Sequence, residues 1–84
     1  MSNNASTLDQ VRDIVLSIID HELGPVSDDE ELLLSGLLDS MAVISITNDL
    51  EARFQIQIQA MDITIENFES IAAMANYLVG QINE

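Results

Sequence analysis

In three separate blocks of this chain the apolar residues recur every three or four positions, the spacing of one face of an α-helix. Leu8, Val11, Val15, Ile18 and Ile19 form the first stripe, widened by Ile14 and Leu16, while Asp9, Arg12, Asp13 and Asp20 lie off it. Val43, Ile46, Thr47, Leu50 and Phe54 form the second, and Ile71, Met74, Ala75, Leu78 and Ile82 the third. Stripes of this width need neighbouring helices to cover them. With 84 residues there is material for one compact core, and one proline and three glycines leave few breakers for a sheet of short strands. The expected fold is all-α: a small antiparallel four-helix bundle, three longer helices and one short one, occupying 1–84 as a single domain.

Local signals set the expected boundaries. Thr7 with Gln10 fits a capping box, which predicts a first helix over 7–23, ended by Gly24 and Pro25, with 1–6 frayed. Asp39 reads as the N-cap of a second helix over 40–54, its carboxylate placed to accept from the first-turn N–H groups. Thr64 caps a short helix over 64–68 anchored by Phe68, and Ser70 caps a last helix over 70–83 whose final turn Gly80 loosens. In the long connection from Pro25 to Leu38, Leu32, Leu33 and Leu34 are expected to tuck into the core, and Gly36 supplies the bend before Ser40. Gln55–Gln59 alternates around Ile56 and Ile58; a lone strand lacks a partner, so an extended loop burying both isoleucines is expected.

Charge narrows the function classes. Fifteen acidic residues against two arginines give a formal net charge of −13, the wrong sign for a phosphate backbone or an anionic membrane surface, and the right one for steering towards basic patches on other proteins. There is no cysteine, which removes disulfides, thiolate catalysis and Cys-based zinc sites. His21 stands alone, without a His-x-x-x-His or Glu-x-x-His spacing, and reads as a last-turn helix residue. Asp28-Asp29-Glu30-Glu31 lacks the rhythm of an EF-hand loop, so no dedicated metal site is expected, only loose divalent binding. No apolar run is long enough to span a bilayer, and Met1–Ser6 has neither the charge nor the apolar core of a signal peptide; a cytoplasmic setting is expected. Free-standing catalysis is not expected: Ser40 has only an adjoining carboxylate and no base in sequence reach, and there is no Gly-rich phosphate loop.

The run Leu34-Ser35-Gly36-Leu37-Leu38-Asp39-Ser40-Met41, followed by Ile44, Leu50-Glu51, Phe54 and the alternating Ile56 and Ile58, resembles the acyl carrier and peptidyl carrier protein family. The likeness extends over nearly the whole chain, since the first and last helices match in order and length. It implies a stand-alone carrier with 4′-phosphopantetheine attached covalently to Ser40, and Asp39 contributing to recognition by a phosphopantetheinyl transferase. Gly36, Leu37 and Met41 would frame the serine, and Ile44 and Asn48 would continue a partner surface. The arm would hold cargo as a thioester, loaded by an acyl- or aminoacyl-loading ligase or transferase and consumed by a downstream synthase or condensing enzyme. The carrier would be a monomer and not itself an enzyme. Ala42, Ser45, Asn48, Ala52 and Arg53 depart from the acidic second helix of fatty-acid synthase carriers, which favours a discrete acyl carrier of a dedicated biosynthetic pathway, secondary-metabolite or specialised acyl. The "GLLDSM" wording is close to stand-alone aminoacyl and peptidyl carriers, including D-alanyl carriers, and makes an aminoacyl carrier loaded by an adenylating ligase the alternative. An acidic helical interaction module whose Ser40 is never modified is the reading from a different class.

Overall fold

A computed structural model describes residues 6–19 and 26–82. Four α-helices form among them: α1 (Thr7–Ile18), α2 (Ser40–Phe54), α3 (Ile65–Phe68) and α4 (Ile71–Ile82), with a 3-10 turn over Ala60–Asp62 before α3. No strand forms among the described residues. α1 packs against both α4 and α2, and α3 lies on α4. The architecture is the all-helical bundle that the apolar spacing implies, three longer helices and one of a single turn.

Each helix brings part of its stripe to one core. Val11 and Val15 of α1, Ile46 and Leu50 of α2, and Ile71 and Leu78 of α4 are shut off from solvent. Phe68 closes the layer from α3. The connection before α2 adds Leu32 and Leu38, and the one after it adds Ile58. Burial of a leucine such as Leu32 contributes roughly 1.5–3 kcal/mol towards holding a connection that has no regular structure of its own. Val43 and Phe54 sit at the edge of the core, half-buried.

The helix ends depart from the sequence expectation in instructive places. Ser6, not Thr7, caps α1: its Oγ accepts the Asp9 N–H at 3.1 Å, and Thr7 is the first helical residue. α1 also stops at Ile18, well short of 23. Ile19 keeps a helical hydrogen bond, its N–H donating to the Val15 carbonyl, but its backbone is extended and its side chain is buried. Burying a β-branched side chain outweighs continuing the helix to the Gly-Pro stop. Asp20, His21, Gly24 and Pro25, with the predicted helix end among them, lie outside the described residues, as do 1–5 and 83–84. In α4 the helix carries through Gly80 to Ile82, but Ile82 is 43% exposed, not on the buried stripe, since it lies a full turn beyond the last fully buried residue, Leu78. Leu34 is the largest departure: it is 80% exposed while Leu32 is fully buried and Leu33 half-buried.

Candidate functional site

The connection that leads into α2 is built from its own carboxylates. Asp28 receives a two-pronged hydrogen bond from Arg12 of α1, Nε to Oδ1 at 2.8 Å and Nη2 to Oδ2 at 2.7 Å, and Arg12 Nη1 reaches Asp9 at 2.7 Å. The Arg12 hydrogen bond is the main cause holding the Asp28 carboxyl below its ordinary value, against a smaller upward push from burial. The same hydrogen bond is the first cause lowering Asp9. The Asp28 carbonyl accepts the Ala72 N–H of α4, and the Leu32 N–H donates to the Glu69 carbonyl, so the connection is tied to both α1 and the start of α4.

Beyond Leu32 the chain turns out and back. The Glu31 carboxylate accepts three successive N–H groups, those of Leu33 (3.0 Å), Leu34 (2.9 Å) and Ser35 (2.9 Å). Gly36, at φ +88°, occupies the left-handed region that a glycine enters freely, and its N–H donates to the Leu33 carbonyl. The Leu37 N–H reaches Ser35 Oγ, and the Leu38 N–H closes the loop on the Leu32 carbonyl at 2.9 Å. Buried Leu38 then fixes the approach to Asp39.

Asp39 caps α2. Its backbone is extended, Oδ1 accepts the Ala42 N–H at 2.8 Å, and its carbonyl accepts the Val43 N–H. Ser40 is therefore the first helical residue, exposed, with its hydroxyl at the mouth of a 15-residue helix. The Ser40 and Met41 N–H groups have no hydrogen-bond partner among the described residues, and with the helix macrodipole they make this mouth favourable for negative charge. Met41 (71%) and Ile44 (55%) are exposed apolar residues on the first turns, and Asn48 is exposed one turn further on. Gly36 is exposed; Leu37 is half-buried against the core, so it offers only part of its side chain.

What this arrangement can do follows from what surrounds the hydroxyl. The adjoining Asp39 carboxylate has one oxygen engaged on the helix backbone. The Ser40 hydroxyl is exposed and has no side-chain hydrogen bond among the described residues. Among the described residues no cluster of acidic or histidine side chains is arranged to hold a metal ion, and no helix is long and apolar enough to cross a membrane. Sequence spacing did not bring out Glu31 or Leu34; the only trace in the chain is a glutamate two to four residues ahead of the N–H groups it caps.

Comparison with known proteins adds one match and one blank. The family described as "Phosphopantetheine attachment site" matches residues 9–78, most of the chain and all of the connection, α2 and α3. Among curated proteins, nothing matches.

Proposed function

The chain belongs to the phosphopantetheine-attachment family, whose domains bear 4′-phosphopantetheine covalently, and from that premise we propose that Ser40 Oγ is the atom to which it is joined. The observation that carries this reading is the exposed hydroxyl at the first position of a helix whose cap, Asp39, leaves two N–H groups open beside it. These residues fit the group: a phosphodiester on Ser40 would lie where open N–H groups and the helix dipole favour an anion.

In a phosphopantetheinyl transferase Ser40 Oγ would bond to the pantetheine-side phosphorus of coenzyme A as the pyrophosphate P–O bond breaks, 3′,5′-ADP leaves, and the serine proton passes to a base of the transferase. Once attached, the group supplies a terminal thiol that takes cargo as a thioester. The protein's own part is to hold Ser40 outward on a capped helix and to keep the cap intact, with the chemistry left to partner enzymes. Met41, Ile44 and Asn48, on the exposed side of α2, serve as contact points for those partners, with Gly36 and the free edge of Leu37 framing the serine.

The cargo assigned is an acyl group of a dedicated biosynthetic pathway, in a cytoplasmic setting where coenzyme A is available. Support comes from the solvent side of α2, where Ser45, Asn48, Ala52 and Arg53 are exposed and dilute the acidic charge that a general electrostatic docking helix would carry. An aminoacyl or peptidyl carrier is the second reading, favoured by the sequence around Ser40.

Intact mass after incubation with coenzyme A, magnesium and a broad-specificity transferase tests the reading. Wild type should gain one phosphopantetheine and Ser40→Ala none, with both folded, because the replaced hydroxyl is exposed. A folded wild type that gains nothing from several transferases would leave the unmodified interaction module. Loading of the modified protein with an amino acid and ATP, but not from an acyl-CoA or a fatty acid, would replace the acyl assignment by the aminoacyl one.

A further inference from the structure

We infer that Leu34 is a docking residue for the transferase that acts on Ser40, displayed for that purpose by the Glu31 carboxylate. The inference rests on the Ser40 reading and adds to it a specific contact and the residue that positions it.

An exposed leucine alone means little, since single apolar residues are common on protein surfaces. Leu34 differs in the frame beneath it. Every backbone N–H from Leu33 to Leu38 is hydrogen-bonded: the first three to Glu31, then Gly36 to the Leu33 carbonyl, Leu37 to Ser35 Oγ and Leu38 to the Leu32 carbonyl. The turn is therefore held in one shape, yet the side chain at its apex is 80% exposed. With the backbone fixed in advance, only side-chain freedom is lost when a partner covers Leu34, so more of its burial appears as affinity. The fully extended length of the six residue steps from Leu34 to Ser40 keeps the two within about 22 Å, inside the footprint of any enzyme that engages the serine. Met41 and Ile44 are further exposed apolar residues past Ser40 on α2.

Charge defines what must meet it. Residues 26–52 contain no lysine or arginine, and Asp29, Glu30 and Asp39 are exposed along the same connection. The surface that receives Leu34 is accordingly an apolar socket bordered by basic side chains.

Steady-state kinetics of Ser40 modification, with coenzyme A, magnesium and the broad-specificity transferase, provide the test. Leu34→Ala should raise the KM for the carrier roughly tenfold, the equivalent of covering one leucine, with kcat and thermal midpoint unchanged. Leu34→Met should recover most of the loss. Glu31→Gln, which keeps the shape but cannot accept three N–H groups, should raise KM as well, and should add nothing further in the Leu34→Ala background, because it acts through Leu34. Raised salt should raise KM for wild type and Leu34→Ala alike. An unchanged KM for Leu34→Ala, or a loss confined to kcat, overturns the inference while the Ser40 reading stands; a wild type that is never modified overturns both.

Discussion

Two connections flank α2, and in each one glutamate carboxylate accepts from the backbone. Before the helix, Glu31 accepts the N–H groups of Leu33, Leu34 and Ser35, its own near neighbours. After it, Glu51 reaches from the last turn of α2 to the Ile58 N–H, seven residues on, at 2.8 Å. The outcomes are opposite. The short-range bonds curl the chain into a local turn with Leu34 outside; the longer-range bond draws the chain back across the helix end, with Ile58 buried. The first connection leads into Ser40 with Leu34 exposed, and the second returns Ile58 to the core.

The sharpest contrast is between the two apolar residues. Ile58→Ala should lower unfolding free energy by about 2–4 kcal/mol, as for other buried isoleucines, whereas Leu34→Ala should change it by less than about 0.5 kcal/mol. Urea denaturation monitored by helical circular dichroism measures both. Equal losses would mean that Leu34 is packed in solution and that the two connections do not differ in kind.

Backbone conformation offers a second comparison of smaller size. Among the described residues each connection has one in the left-handed region, Gly36 at φ +88° and Gln55 at φ +57°. A Cβ on Gly36 would meet nothing within 4 Å, so the backbone conformation itself, not crowding, penalises Gly36→Ala. Gly36→Ala should destabilise by about 1–2 kcal/mol, and Gln55→Gly should stabilise by up to about 1 kcal/mol, because glycine removes the left-handed penalty at a helix C-terminus. Denaturation midpoints of the two variants moving in the same direction would break this symmetry.

What was legible beforehand was local. The Asp39 cap, the start of α2 at Ser40, the Thr64 cap of α3 and the Ser70 cap of α4 depend on side chains bonding to N–H groups three residues on, and the residue types alone indicate them. The all-α fold followed from spacing. Not legible were features set by contacts distant in sequence, and local ones whose backbone conformation the residue types do not mark. α1 ends early because Ile19 is drawn into a core made largely by other elements. Leu32-Leu33-Leu34 carries no periodicity, so nothing in it distinguishes the buried residue from the displayed one until Glu31 is placed. Gln55 adopts a glycine-like conformation without glycine, its N–H donating to the Glu51 carbonyl. The 3-10 turn at Ala60–Asp62 depends on Asp62, whose carbonyl accepts from Asn67 Nδ2 and whose carboxylate accepts from Tyr77 Oη, fifteen residues away.

The smallest effects lie at the extremes of pH, and they should separate the two connections once more. In the first, Arg12 lowers Asp28 and Asp9 below their ordinary 3.8, so their contribution to stability is complete above that value and is lost as pH falls below it. Both carboxylates are partly open to solvent, so the acid slope is shallow. Arg12→Gln should flatten it further, and the Ala72 amide, bonded to the Asp28 carbonyl, should report the loosening by its chemical shift. In the second, Tyr77 is pushed up from 10.0 to about 12, first by burial and then by its hydrogen bond to Asp62. The neutral phenol is favoured in the folded state, so its contribution is complete below pH 10 and is lost as pH rises towards 12. Because the chain has a single tyrosine, phenolate absorbance follows this group alone. Its midpoint should lie well above that of the urea-unfolded protein, and Asp62→Asn should recover only the smaller part of the difference, because burial is the larger cause. A midpoint that falls all the way to the unfolded value in Asp62→Asn would mean that the carboxylate, not the packing of Tyr77, sets the ionisation, and that the second connection is held by charge as much as the first.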